Sequence, residues 1–228
     1  MMPRILAFAG STRRESFNKK LMSIAVKGAR DAGAEVTLID LKDFPLPLFD
    51  QDLEAEQGMP ENGTKLKKHF IDHDGLLIAS PEYNSSITAV LKNAIDWVSR
   101  PAPGEPSLVA FKGKVATLMS ASPGALGGLR GLVHVRSILG NIGVIVLPDQ
   151  IAVAKAHEAF KPDGSPRDHK QQAAIEGLGN TLASFLIDEA QRVGAGQRGC
   201  PRPSPWQAAH WRGKYKCQAQ IGCCPGRG

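Results

Sequence analysis

Cysteine is absent from the first 193 of the chain's 228 residues. That absence excludes a disulfide framework and any thiolate metal centre from most of the protein, and it fits a reducing compartment. Long apolar runs are absent too: the stretch Ile5 to Ala9 gives way to Ser11-Thr12-Arg13-Arg14 before it reaches the length of a bilayer span or a secretion-signal core. A cytoplasmic protein with no targeting segment and no membrane partner is expected. Acidic residues are missing after Val193, where Arg198, Arg202, Arg212, Lys214, Lys216 and Arg227 stand unopposed. Without those six, the 28 Lys and Arg fall to 22, equal to the 22 Asp and Glu, so the formal charge of +6 belongs wholly to the tail. A neutral body lacks the clustered cations on which nucleic-acid binding rests. Two nucleotide signatures are also missing, the glycine-rich loop closed by Lys-Ser/Thr and the GxGxxG turn of dinucleotide binders.

What is present is an alternation of short apolar runs with helical periods, in a chain that is 42% hydrophobic. Arg4 to Ala9 reads as a buried strand, and Asn18 to Ala32 repeats Leu21, Met22, Ala25, Ala29 and Ala32 at helical spacing until Gly33 stops it. Val36 and Leu38 alternate toward Asp40 as a second strand. Phe44-Pro-Leu-Pro-Leu-Phe49 is an extended loop, because proline fixes its own φ and restricts the residue before it. A weaker helix follows over Thr64 to Ile71, then a strand over Gly75 to Ser80 and a helix over Thr88 to Val98, with Lys92 and Asp96 as a solvated pair outside. Lys114 to Met119 is a fourth strand, and Leu129 to Ile142 is a helix with Leu132, Val133, Ile138 and Leu139 inward. Val144 to Leu147 is a fifth strand. A closing helix from His169 to Val193 carries Ile175, Leu178, Leu182, Phe185, Leu186 and Val193 on one face. The pattern predicts one doubly wound α/β domain over residues 1–193, its parallel sheet covered on both faces and its ligand site at the carboxyl ends of the strands. Residues 194–228, with seven Gly and four Pro in 35 positions and no sustained period, predict a disordered tail.

Three loops at strand ends carry the chemistry. The first, Gly10 to Asn18, brings a glycine, hydroxyls, an amide and two guanidinium groups to a helix N-terminus, where backbone N–H groups and the helix dipole favour an anion. A single phosphate monoester suits it; the alternative is a helix start capped by Ser16 or Asn18 with surface arginines. The second, Ser80-Pro-Glu-Tyr-Asn-Ser-Ser86, offers successive backbone groups and an aromatic edge to a flat polar ring, or is simply a capping turn with an exposed Tyr. The third, Ser120 to Gly128, has Gly124, Gly127 and Gly128 for close backbone approach and short hydroxyls at Ser120 and Ser122, or is a flexible turn. They follow strands one, three and four, which the order 2-1-3-4-5 brings to one crevice.

Gly10-Ser-Thr-Arg-x-x-Ser-x-Asn18, Ser80-Pro-Glu-Tyr-Asn84, Leu91-Lys-Asn-Ala-Ile-Asp-Trp97 and Ser122-Pro-Gly-x-x-Gly-Gly-x-Arg130 together resemble the NAD(P)H-dependent FMN reductase family, especially its chromate and quinone reductase branch. The resemblance runs from about Pro3 to Arg192. It implies a flavodoxin-like three-layer sandwich with a five-stranded parallel sheet in the order 2-1-3-4-5. It implies FMN as cofactor, its phosphate on Ser11, Arg13, Ser16 and Asn18, its ring against Pro81, Glu82, Tyr83 and Asn84, and Ser120, Ser122 and Gly124 completing the pocket. NADPH or NADH is the implied electron donor. The acceptor is a small oxidant such as a quinone, chromate, an azo dye, a ferric complex or free flavin, reached by a two-step ping-pong cycle. Main-chain N–H groups of Tyr83 and Asn84 are expected to tune the ring, with no catalytic acid or base. Homodimers or homotetramers are implied as well, with Arg130 placed to reach a neighbouring subunit. Val133 departs from the Tyr of some chromate-reducing relatives, and Ala89-Val90 from their Gly.

Other residues receive plainer readings. His69 and His73, four apart without a third ligand, belong to a polar helix face and no metal is expected; His134 is structural or interfacial, and Trp97 packs under a helix or at an interface. His210, Cys217, Cys223 and Cys224 match no familiar zinc spacing. The rival functions are a flavodoxin-type electron carrier, which would be more acidic, and an FMN-binding regulatory module with little turnover.

Overall fold

Alternate side chains of a strand point to opposite faces, and in β1 (Arg4–Ala9) both sets are buried. Ile5 and Ala7 join one core cluster while Leu6 and Phe8 join another. The same division holds in β3 (Gly75–Ala79) and β4 (Val115–Ala121), whose every residue is buried. Such apolar strands need helices on both sides, and they have them. α1 (Phe17–Asp31) and α7 (His169–Gly196) cover one face through Leu21, Met22, Ala25, Ile175, Leu178 and Leu182. α3 (Glu61–Asp72), α4 (Ala89–Val98) and α5 (Leu129–Asn141) cover the other through Leu66, Phe70, Leu91, Ile95, Leu132 and Leu139. With β2 (Glu35–Asp40) and β5 (Ile145–Val153) at its edges, the sheet is wholly parallel in the order β2-β1-β3-β4-β5.

The computed structural model describes residues 2–196. The chain divides into two units, Met1–Ala190 and Gln191–Gly228. Of the second, the backbone of α7 as far as Gly196 is described. The expectations for the rest of the tail, including its four cysteines and His210, fall outside the described residues, as does the side chain of Val193.

Several boundaries differ from the sequence reading, each for a local reason. β5 continues through Pro148 to Val153, because an edge strand tolerates a proline and because four of its residues oppose two of β4: Ala116 pairs with Val146 and Leu118 with Gln150. α3 starts at Glu61, one turn earlier than its apolar stripe. α2 (Gln51–Gln57) was not expected, since it buries no residue; the Asp50 carboxylate caps it, accepting from the N–H groups of Asp52 and Leu53. α6 (Ala156–Ala159) is a single turn. In α5 the inward stripe is Leu132, Val135 and Leu139, and Val133, expected inside, is 59% exposed because it lies about 100° around the helix from Leu132.

Two glycines let α1 and α7 cross at close range. A Cβ on Gly28 would stand 1.9 Å from the Glu176 carbonyl oxygen, and one on Gly179 would stand 1.9 Å from that of Ala25. Side chains would hold the helices apart and open the core layer beneath them.

Candidate functional site

Beyond the strand ends the sheet's hydrogen bonds continue into the three loops. Gly10 N–H donates to Ala79 O (2.8 Å), Ser80 N–H to Met119 O (2.8 Å) and Ser122 N–H to Val153 O (3.1 Å). The roots of the loops are thus extensions of the sheet. Side chains then tie the loops to one another. The buried Asn18 carboxamide donates to Ala121 O (2.8 Å) and accepts from Ala121 N–H (3.0 Å), joining the start of α1 to the end of β4. Thr88, also buried, donates to Gly10 O (2.6 Å) while its oxygen caps α4 by accepting from Leu91 N–H (3.2 Å). Thr88 was not among the expected site residues; its cue was its position as the hydroxyl just before the α4 stripe.

Between the loops lies a cleft of about 230 Å³. Ser11, Arg13, Ser16 and Asn18 line it from the first loop, Pro81, Glu82 and Tyr83 from the second, and Ser122 from the third. Asn84, Ser120 and Gly124 stand outside that lining. Larger cavities, of about 460, 340 and 270 Å³, lie against α3, against the proline-rich loop and between α1 and β2. The strand-end cleft is the one at the switch point of the sheet, where doubly wound proteins bind ligands.

Its electrostatics suit an anion. Ser16 is the N-cap of α1 but makes no side-chain cap hydrogen bond, and no acid stands in the first turn. α4 and α2 are capped by Thr88 and Asp50, whereas α1, like α3, has no side-chain cap, and its first N–H groups are left to an outside acceptor. The Arg13 guanidinium lies 5.5 Å from the Phe17 ring centre, and Phe17 in turn stacks on Phe160 at 6.1 Å. Next to Ala121, which lines the cleft, Ser120 Oγ is buried without a hydrogen-bond partner. An orphaned hydroxyl and an uncapped helix are the donor set that a phosphorylated polar ligand such as FMN would satisfy.

Hydrogen bonds within the chain occupy several groups of the expected site. Glu82 does not present its carboxylate to the cleft: Oε1 accepts from Arg130 Nε (3.0 Å) and Nη2 (2.8 Å), and Oε2 accepts from Gly131 N–H (3.0 Å). Burial acts to raise its pKa, but the hydrogen bonds from Gly131 and Arg130 outweigh burial and hold the carboxyl below its ordinary range. Arg130, expected at a subunit contact, is thereby engaged within its own chain. The Tyr83 N–H, expected to face a ring, donates instead to Ser86 O (2.9 Å). The Asn18 carboxamide, for its part, spends one N–H and its oxygen on Ala121.

The remaining histidines and Trp97 have structural duties. His73 is 8% exposed rather than on a polar face; its Nδ1 donates to His69 O (2.6 Å) and its Nε2 bonds Thr37 Oγ1 (2.8 Å). Burial pushes its pKa down. Trp97 is fully buried and donates from Nε1 to Pro47 O (2.8 Å). Lys92 and Asp96 form the expected outer pair. Among the described residues no group of three or more His, Cys, Asp or Glu gathers as a metal site, and no helix is long and apolar enough to cross a membrane.

A parallel sheet in this order, with a cleft at its switch point, defines a flavodoxin-like protein. The sequence model of NADPH-dependent FMN reductases matches residues 3–158, and the chain belongs to that family of oxidoreductases. An NAD(P)H-dependent FMN reductase of Pseudomonas aeruginosa is 34% identical over 174 residues, 76% of this chain and 89% of the relative. A quinone reductase of Escherichia coli strain K12 is 34% identical over 144 residues, 63% of this chain and 73% of the relative. Among solved structures, the flavoenzyme NAD(P)H:(acceptor) oxidoreductase FerB from Paracoccus denitrificans superposes with a TM-score of 0.68 at 29% identity, covering 82% of this chain and 98% of FerB.

Proposed function

We propose that this chain holds FMN in the strand-end cleft and uses NADPH or NADH to reduce a small-molecule acceptor of the quinone class. The observation that carries the reading is the uncapped, acid-free start of α1 facing a cleft lined by Ser11, Arg13 and Ser16. Those three side chains, the first N–H groups of α1 and the second N–H of Asn18 hold the phosphate. Pro81, Tyr83 and Asn84 receive the ring, with Ser120, Ser122 and Gly124 below it. Glu82 serves the ring indirectly, by fixing the segment that carries Tyr83. When bound, FMN supplies the redox chemistry, accepting hydride from the nicotinamide and returning two electrons to the oxidant. The chain's residues bind, orient and exclude water. One open face visited in turn by donor and acceptor gives ping-pong kinetics. Chromate, azo dyes, ferric complexes and free flavin are further acceptors to assay beside quinones.

The proposal includes self-association as a homodimer or homotetramer, supported by the exposed Leu129 and Val133 on α5 and measured by sedimentation. The decisive experiment follows the visible absorbance of protein reconstituted with FMN. The cofactor should stay bound through gel filtration, bleach with NADPH, and recover its colour with a quinone. A preparation that retains no FMN after soaking refutes the reading. One that binds FMN but is not bleached by NADPH or NADH is an electron carrier or a sensor.

A further inference from the structure

The segment between β3 and α4 folds into a two-residue hairpin. Tyr83 N–H donates to Ser86 O (2.9 Å) and Ser86 N–H to Tyr83 O (3.0 Å), while Asn84 and Ser85 between them have φ of +49° and +65°. Left-handed backbone at two successive non-glycine residues costs roughly 1 kcal/mol each, so it persists where surroundings enforce it. The enforcing surface is α5. At one foot of the hairpin, Glu82 takes hydrogen bonds from Arg130 and from Gly131 N–H, acting as the cap that Gly128, the N-cap of α5, has no side chain to provide. At the other foot, Ser86 Oγ shares a hydrogen bond of 2.8 Å with His134 Nδ1. Gly131 sits between the two feet: a Cβ there would stand 3.2 Å from Ser86 O and 3.3 Å from Glu82 Cβ, tight enough to push the hairpin away. Tyr83 is left 59% exposed at the mouth of the cleft.

We propose that Gly131 and His134, neither of which lines the cleft, are positioning residues that set the seat of the Tyr83–Ser86 hairpin on α5 and thereby fix where a flavin ring is received. The inference rests on the proposed function for its ring, but not for the seat itself. Arg130 and Glu82 hold one foot by charge; Gly131 sets the approach distance; His134 holds the second foot. The design separates ring reception from phosphate capture, which belongs to loop one on the far side of the cleft.

The test compares Gly131→Ala, His134→Ala and His134→Asn with the unsubstituted protein in two measurements. Hydrogen exchange of the Tyr83 and Ser86 amides is followed in cofactor-free protein, and binding of FMN, riboflavin and inorganic phosphate is titrated separately. The two alanine variants should exchange those amides faster and weaken riboflavin and FMN by the same factor, about 3- to 10-fold, the range set by one hydrogen bond. Phosphate binding should not change. His134→Asn, whose amide can replace Nδ1 as partner for Ser86, should restore both readouts. Unchanged exchange in both alanine variants overturns the seat. Faster exchange with unchanged riboflavin and FMN affinity overturns its link to the ring. If the unsubstituted protein binds neither flavin, the proposed function falls and this inference with it, whereas the exchange data still report on the seat alone. His134→Ala changes an exposed residue, so the test does not depend on the tighter Gly131→Ala variant folding.

Discussion

Replacing Gly177 and Gly179 of α7 separately by alanine should shift stability in opposite directions. Gly179 is buried at the crossing with α1, and a Cβ there would stand 1.9 Å from Ala25 O and 2.8 Å from Ala29 N. Both are main-chain atoms that cannot swing aside, so the helices must part by about 1 Å before the nearest contact reaches 3.0 Å. A radial gap of that size forfeits a quarter to a half of the dispersion energy across the interface, and overpacking of this kind costs about 3 kcal/mol at its upper end. Alanine's better helix propensity returns about 1 kcal/mol, for a net loss of about 2 kcal/mol. Gly177 is exposed with nothing within 4 Å of its added Cβ, so only the propensity gain applies. For a domain of this size about 2–4 °C accompany each kcal/mol. Thermal and urea unfolding of cofactor-free protein should therefore show G179A melting roughly 4–8 °C lower and G177A about 2–4 °C higher. If both variants move the same way, or G179A is neutral, the close crossing does not hold this face of the sheet.

Three further outcomes follow from single side chains. Asn18→Ala strands the buried Ala121 N–H and C=O, each worth about 1–3 kcal/mol when unpaired, so its urea midpoint should fall; an unshifted midpoint would show that the two loops are joined some other way. Ser120→Ala removes a hydroxyl that has no partner, so the cofactor-free protein should lose no stability while FMN affinity drops about 2- to 10-fold, and a destabilised apo-protein would contradict that. His73 is neutral in the folded state at pH values where the unfolded chain already takes up a proton, because burial lowers its pKa from 6.5. Its contribution is therefore complete above that value and is lost as the pH falls below it; unfolding free energy measured from pH 7.5 down through 5.5 should decline, and His73→Gln should flatten that decline.

The strands were legible because burial on two faces leaves an unbroken apolar run, as in Gly75–Ala79, and no polar residue dilutes it. The helices were legible where one face is buried. α2 escaped for the complementary reason: it buries nothing, and its one cue was the aspartate at position 50. The far half of β5 escaped because Pro148 reads as a stop when the strand's edge position is unknown. Within the site, the loops were legible as polar clusters at strand ends, but the work of individual side chains was not. Nothing local to Glu82 announces Gly131, and nothing local to Asn18 announces Ala121, 103 residues away. Both side chains turned inward to meet main-chain groups of another loop, and such partners are visible only once the topology has brought the loops together.

The ties at the bases of the three loops have a bearing on change over generations. Gly10, Ser80 and Ala121 anchor the crevice through backbone groups, and Asn18 and Thr88 through side chains bonded to those groups, whereas Thr12, Arg14 and Ala125 make no such tie and lie toward the crests. Mutation at the crests can therefore reshape what enters without loosening the frame. A small set of substitutions there would be the economical route by which this scaffold acquires a taste for a new oxidant while its melting behaviour stays put.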